Sequence, residues 1–217
     1  MLCKKTQRYS ELSLSMTAEK RVTGQLNDPL APELRGVQLK AVYTFMNQRY
    51  GDEPVDAALK SLGADDQALM PSLLMDSNWY SYSAWRVVTR MMRILDPGAG
   101  EQFCIEAGRY MAEYCFAGAF KSLVSATPAQ QVNRFDRIHH LGVRNVSEIN
   151  ARNVTKDSAI VTYSYDKSVG AVASTCATLR GFWSRLLEMS GARDVVVIHN
   201  KCAARGADSC EFSFSWK

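Results

Sequence analysis

The apolar positions of this chain follow a helical period over most of their length. Between residues 36 and 141 they recur every three or four residues, as in amphipathic helices. Proline and glycine divide this stretch into separate helices, and Thr127–Pro128 is a typical pair of N-cap and first-turn residues. Gly108 and Gly118 lie inside the longest predicted helix, over 103–124, where glycine lowers helix propensity. They indicate a close approach of another helix or a break.

The period changes to two in the last third of the chain. Segments 147–152 and 159–165 predict two strands joined by a turn. A further amphipathic helix over 170–190 ends at Gly191, and residues 195–216 predict a strand, a tight connection and a strand. Segregated helices with antiparallel hairpins predict an α+β fold: a helical N-terminal half packed on a small antiparallel sheet of about four strands, with one long C-terminal helix.

The polar N-terminal segment differs from the rest of the chain. Residues 1–34 contain Pro29 and Pro32 and show no sustained period, so we expect an extended or partly disordered arm. Residues 35–217 are predicted to form one ligand-binding domain, which suits a chain of 217 residues that is 47% hydrophobic.

Charge and cysteine content limit the function classes. The formal net charge of +4 comes from scattered basic residues, so nucleic-acid binding is not indicated. No apolar run reaches membrane-spanning length, and no signal peptide follows Met1. The six cysteines do not form the dense framework of a secreted protein, so we expect reduced thiols and a cytoplasmic location.

Residue types that bind metals gather at the final hairpin. His199, Cys202 and Cys210 lie around its connection, where Gly206 supplies the turn. Cys176 lies near the start of the preceding helix, which packs back along the following strand and brings its first turns to the far end of that strand. Three thiols and an imidazole predict a structural zinc site of Cys176, His199, Cys202 and Cys210. Spacing alone leaves open the alternative that these residues are ordinary core, because free cysteine is often buried.

The same residues carry a family resemblance. The pattern Cys176…His199-x-x-Cys202-x-x-x-Gly206-x-x-x-Cys210 resembles the C-terminal signature of the 4-vinyl reductase domain. That domain also forms the sensory module of aromatic-responsive transcription activators, where an equivalent cysteine, an acidic residue and a cysteine pair bind zinc. The resemblance therefore implies zinc at these positions, although His199 stands where those sensors carry a carboxylate.

A looser resemblance extends over residues 35–216. Arg35-Gly36, Asn78-Trp79-Tyr80 and Gly108-Arg109 are similar to uncharacterised bacterial proteins, common in myxobacteria, that are distantly related to haem-dependent nitric-oxide-binding domains. The Tyr-x-Ser-x-Arg haem-propionate motif of those sensors is missing, because Tyr82-Ser-Ala-Trp-Arg86 matches it only in part. His139-His140 is the candidate ligand pair, but Tyr82–Arg86 lies on the wrong side of it. The sequence does not favour haem.

Aromatic residues are the candidates for a ligand pocket between the helices and the sheet, as the sensor resemblance implies. An aromatic core is the better explanation for each of them when taken singly. The six candidates are Trp79, Phe103, Tyr110, Phe120, Phe135 and Trp183.

The predicted function is a zinc-stapled, non-catalytic sensory domain for a small apolar or aromatic ligand. We expect a homodimer, because the helical half, with Met91, Met92 and Met111, has more apolar faces than a small sheet can bury. Two alternatives remain: a tetrapyrrole vinyl-reductase-type enzyme or accessory, and a purely architectural dimeric scaffold. The enzyme requires a cofactor site or a reductant, and the sequence shows neither.

Overall fold

A computed structural model describes residues 30–118 and 120–217. The predicted N-terminal arm lies outside the described residues except for residues 30–34. Pro32–Lys217 form one compact unit. No helix in the described part of the chain combines the length and the apolar composition needed to cross a membrane.

Helices fill the first two-thirds of this unit, and one long helix lies between the two hairpins near its end. The helices are α1 (Gly36–Tyr50), α2 (Asp52–Lys60), α3 (Ala64–Ala68), α4 (Ser83–Leu95), α5 (Gly100–Ala117), α6 (Pro128–Val132), α7 (Phe135–Gly142) and α8 (Ala173–Met189). The strands are β1 (Glu33–Arg35), β2 (Trp79–Ser81), β3 (Val143–Arg144), β4 (Ser147–Arg152), β5 (Ser158–Tyr165), β6 (Val196–Lys201) and β7 (Cys210–Ser215).

The main sheet is the antiparallel sheet that the sequence predicts. Its four strands have the order β4-β5-β7-β6, so the α+β fold with a long C-terminal helix is confirmed. A second sheet of order β2-β1-β3 was not predicted. Its strands contain only two or three residues, which is too short for an alternating pattern to develop.

Two helix boundaries differ from the sequence prediction. The long helix ends at Ala117, because Gly118 leaves the helical region with φ −109° and ψ −119°. The helix predicted over 128–141 is two helices, α6 and α7. Its predicted N-cap is confirmed, since the Thr127 side chain accepts a hydrogen bond from the Gln130 backbone at 3.4 Å.

Two glycines allow α5 and α8 to touch along their backbones. A Cβ at Gly108 would lie 1.9 Å from the carbonyl oxygen of Thr178, and a Cβ at Gly181 would lie 1.9 Å from that of Ile105. Farther along, Arg109 holds Glu188 with two hydrogen bonds of 2.9 and 2.8 Å. These contacts fix the position of α8 on α5.

The other side of α8 packs on the main sheet. Trp183 is buried, donates a hydrogen bond to the Tyr163 hydroxyl on β5, and stacks on Phe135 with ring centroids 4.0 Å apart. The first turn of α8 is thereby placed beside the ends of β5, β6 and β7, where the predicted site residues lie.

Candidate metal centre and ligand cavity

The structure brings Cys176, His199, Cys202 and Cys210 together. One ligand atom from each residue lies within 4.8 Å of every other. The Sγ atoms of Cys176 and Cys210 are 3.5 Å apart, and all three cysteines are buried and free of disulfides. Three thiols and an imidazole at these separations can surround one metal ion.

Irregular backbone geometry at the end of β6 produces this arrangement. The register between β6 and β7 shifts between His199 and Lys201, which is a β-bulge. The chain then makes a short 3-10 turn over Ala203–Arg205 and reverses at Gly206, whose φ of 97° suits glycine. Gly206 therefore supplies the predicted turn that returns the chain to Cys210.

Hydrogen bonds lower the pKa of the Cys210 thiol. The pKa of Cys210 is lowered by the hydrogen bond from the Cys176 thiol, by the Ala203 backbone N–H at 3.2 Å and by His199. The pKa of Cys176 is raised, because its proton is held in that bond and its surroundings are buried. Cys210 therefore has the thiolate character that a metal ligand needs.

His199 has an unused nitrogen in the same region. Its Nε2 atom is buried and has no hydrogen-bond partner among the described residues. The ring stacks on Phe212 with centroids 4.3 Å apart, which fixes its plane. A buried, unpaired imidazole nitrogen is a group for which a metal ion would be a suitable partner.

A second group of ligand-type residues lies on the surface. His140 Nε2 is 3.1 Å from Asp136 and 3.4 Å from Glu148, and all three side chains are exposed. These contacts are explained as a solvated ion pair on the surface, and we propose no metal site there.

A partly open cavity of about 60 Å³ lies between α4, α7, α8 and the start of the main sheet, and Thr175 of its wall precedes Cys176 in α8. Its wall combines large apolar side chains with hydroxyl groups and one imidazole. The main wall residues are Tyr82, Trp85, Met111, Ile138, His139, Ser147, Tyr165, Thr175, Leu179, Phe182 and Trp183.

The six predicted pocket residues are not brought together. Of these, Trp183 lines the main cavity, and Phe120 lines a smaller one of about 20 Å³. Phe103 packs against Phe45 with ring centroids 5.4 Å apart in the helical core, far along α5 from the cavity.

The remaining three predicted pocket residues have other neighbours. Phe135 is fully buried under Trp183. Tyr110 packs beside Phe45, at 5.5 Å between centroids. The guanidinium carbon of Arg144 lies over the Trp79 ring, 3.7 Å from the ring centroid.

The cavity wall contains polar residues that sequence reasoning missed. Trp85 donates a hydrogen bond to Thr175 at 2.9 Å, and His139 Nε2 lies 2.9 Å from the carbonyl oxygen of Ser147. Tyr165 could have been found from alternation, since it follows the buried Tyr163 by two positions on β5. The other polar groups carry no such signal, because they come from separate elements.

Comparisons with known proteins identify the fold. No protein-family model matches the chain, and no curated protein matches it. Solved structures of H-NOX proteins do match, each over 85% of this chain. The S. oneidensis protein in the Fe(II)NO ligation state is 12% identical, with 99% of that chain covered and a TM-score of 0.65.

Two further structures give the same result. The Fe(II) unliganded protein from K. algicida is 9% identical, with 97% covered and a TM-score of 0.62. An oxygen-binding H-NOX domain related to soluble guanylate cyclases is 16% identical, with 95% covered and a TM-score of 0.56. The chain therefore has the H-NOX fold.

Two sequence predictions are affected by these comparisons. The expected relation to nitric-oxide-binding domains is confirmed at the level of the fold, whereas nothing supports a 4-vinyl reductase domain. The prediction of zinc as the cofactor is wrong, because the solved proteins of this fold carry iron, described as Fe(II). The prediction of zinc came from the thiol and imidazole groups of four residues. Those residue types do not reveal which cofactor other proteins with the same fold bind.

The cavity of this chain does not fit a haem. Its volume of about 60 Å³ is far below the several hundred Å³ of pockets that enclose ligands of such size. Of the three histidines, only His139 lines the cavity, and its Nε2 is engaged by Ser147. His140 is exposed on the surface, and His199 belongs to the thiol cluster. The aromatic rings of Trp183, Phe182 and Trp85 form part of the cavity wall.

Proposed function

We propose that residues 35–217 form a non-catalytic sensory domain that binds a small, largely apolar molecule directly in the cavity beside α8, without haem. The observation that carries this proposal is a mostly apolar cavity in a fold whose solved neighbours include an oxygen-binding protein. The Ser147 hydroxyl lies 3.0 Å from His139 Nε2, but the same nitrogen donates to the Ser147 carbonyl oxygen at 2.9 Å. Because Nε2 then carries a hydrogen, it cannot act as the base for that hydroxyl, and the arrangement favours binding over catalysis.

The position of the cavity supports a sensory role. Its wall takes residues from α4, α7 and α8 and from Tyr165 on β5. Occupation of the cavity therefore acts on the helical half and on the main sheet together. Trp183 connects the two, because it lines the cavity and donates a hydrogen bond to Tyr163.

We propose further that Cys176, His199, Cys202 and Cys210 bind one thiophilic transition-metal ion that ties α8 to the last hairpin. The support is the mutual distance of 4.8 Å or less and the unpaired His199 Nε2. A reducing, cytoplasmic setting is part of this proposal, since it keeps the thiols available as ligands. The dimer also stays a prediction, although Met91, Met92 and Met111 are buried within one chain and no longer argue for it.

Xenon is a suitable probe of direct ligand binding, because it enters apolar cavities without needing a polar contact. We expect the NMR resonance of xenon to shift when the full wild-type chain is added. The shift should be lost with Val143→Phe, because the added ring fills space at the cavity wall. Val196→Phe is the matched control, because Val196 is exposed on β6 and lies outside the wall.

Two results would overturn the proposal. One is the absence of a xenon shift in the folded wild-type chain. The other is stoichiometric haem binding with a sharp absorption band, since the cavity as built has no space for a porphyrin.

A further inference from the structure

The hydroxyl of Tyr165 is a buried polar group without a partner in the described part of the chain. Tyr165 is the last residue of β5, and it lines the main cavity. The residue as a whole is partly exposed, but its hydroxyl oxygen is buried and bonds to no described atom. Most buried polar groups in proteins are paired, because an unpaired one loses its hydration without compensation. The position suits a partner from outside the described residues, and a bound ligand can supply one.

Neighbouring polar groups of the wall already have partners. Thr175 Oγ1 accepts from the Trp85 indole at 2.9 Å, and His139 Nε2 lies 2.9 and 3.0 Å from the two oxygens of Ser147. Among the buried side-chain nitrogen and oxygen atoms of the wall that the structure describes, the Tyr165 hydroxyl is therefore the one left without a partner.

The cavity wall carries no formal charge at neutral pH. Its described residues include no aspartate, glutamate, lysine or arginine. Burial lowers the pKa of His139 to about 4, so the ring is neutral, and burial raises the pKa of Tyr165 well above its usual value, so the phenol keeps its proton. A charged ligand would be desolvated here without a counter-charge, which is strongly unfavourable. The wall therefore selects a neutral ligand.

The cavity volume limits the size of the ligand. A cavity of roughly 150 Å³ can bind benzene, which has six non-hydrogen atoms. The cavity of about 60 Å³ therefore suits a molecule smaller than benzene, with only a few non-hydrogen atoms.

We propose that this cavity binds a small neutral molecule with one hydrogen-bond acceptor, of the size of a short ketone, and that the Tyr165 hydroxyl donates to that acceptor. The inference rests on the proposed function and names the ligand class of the same cavity. The apolar body of the ligand contacts Met111, Ile138 and Phe182, and its oxygen faces Tyr165. The phenol is the donor, because it keeps its proton and no other atom of the described residues receives it.

Three probes of equal size separate the contributions to binding. Acetone offers an acceptor, 2-methylpropene replaces the oxygen with carbon, and acetate adds a charge. Binding is followed through the indole N–H resonances of Trp85 and Trp183, since both rings line the cavity. We expect acetone and 2-methylpropene to shift these resonances and acetate to leave them in place.

Tyr165→Phe is the decisive variant, because it removes the hydroxyl and keeps the ring. We expect it to lower the affinity for acetone relative to 2-methylpropene by about tenfold, the equivalent of one hydrogen bond. The control is Tyr110→Phe, which removes a hydroxyl outside the wall and should leave that ratio unchanged. Tyr165→Phe should also fold with a higher Tm in the absence of ligand, since it removes an unpaired buried oxygen.

The outcomes distinguish the inference from the proposed function. If xenon and 2-methylpropene bind but Tyr165→Phe leaves the ratio unchanged, or if acetate binds as well as acetone, the ligand class is wrong and direct binding stands. If none of the probes and no xenon enters, the cavity holds water only and both proposals are overturned.

Discussion

The Sγ atoms of Cys176 and Cys210 lie 3.5 Å apart, although 34 positions separate these residues in the chain. Cys176 is in the first turn of α8, and Cys210 is the first residue of β7. Two sulfurs on one tetrahedral ion with bonds of about 2.3 Å would lie about 3.8 Å apart. The pair is therefore close to the separation that a shared metal ion needs.

Cobalt(II) tests the metal proposal, because thiolate ligands give it a charge-transfer absorption band. We expect one Co(II) per wild-type chain and loss of the band in Cys210→Ser or Cys176→Ser. Removal of the bound ion should lower the free energy of unfolding by several kcal/mol, and Tm by roughly 10 °C, because the site links α8 to the last hairpin.

Cys104→Ser and Cys115→Ser are the controls for this test. Both cysteines are buried in α5, away from the cluster, so each substitution should keep the cobalt band and shift Tm only slightly. A wild-type chain that gives no band, or a chelator that leaves Tm unchanged, would show that the four residues are ordinary core.

Gly108→Ala should destabilise the contact between α5 and α8. The added methyl group would lie 1.9 Å from the carbonyl oxygen of Thr178, which is backbone and cannot move aside alone. We expect a loss of about 1–3 kcal/mol or more, measured by urea unfolding. Gly98→Ala is the control, since a Cβ at Gly98 meets no atom within 4 Å. Equal stability of the two variants would contradict the close helix contact.

His139 should make the fold sensitive to acid. Burial lowers its pKa to about 4 from the ordinary 6.5, so between these values the unfolded chain binds a proton that the folded chain does not. The free energy of unfolding should therefore fall by about 3 kcal/mol as the pH is lowered through this window, with no contribution from His139 above it.

The test compares urea unfolding at neutral pH and at about pH 4.5. His139→Gln should lose most of this pH dependence, because glutamine can still donate to Ser147 and does not titrate. His140→Gln should keep it, since His140 is exposed and only adjoins the buried ring. Identical pH profiles for wild type and His139→Gln would rule out this origin of acid sensitivity.

The predicted homodimer remains open to a direct mass measurement. Light scattering of the full chain should give twice the 24.2 kDa of one copy at micromolar concentration. The exposed Val196 and Ile198 on β6, an edge strand of the main sheet, are the apolar groups that a second copy could cover. Ile198→Lys should then favour the monomer, because it places a charge on that apolar surface. A wild-type mass equal to one chain would show that the predicted dimer is wrong.

Local chemistry explains which parts of the site the sequence could reveal. Strand alternation placed β4, β5 and β7, and the turn at Gly206 placed Cys202 near Cys210. Cys176 followed from one further step, the return of α8 along β6. Each inference used neighbours in sequence or one helix–strand connection, and such relations are fixed by backbone geometry.

The cavity could not be predicted in this way. Five of the six predicted pocket residues lie outside its wall, while Tyr82, Tyr165 and Thr175 line it. A cavity is the space that several packed elements leave unfilled, so its position depends on distances between α4, α7, α8 and β5 that no local pattern contains.

By itself, the sequence determined the types of the long elements, the α+β class and the gathering of thiols at the last hairpin, because periodicity and turn residues act over a few positions. Only the tertiary structure decided that Gly108 and Gly181 bring α5 and α8 into backbone contact, and that Tyr165 is left unpaired beside a small cavity. Those features arise from the packing of segments remote in sequence, where an atom's neighbours are set by the fold as a whole.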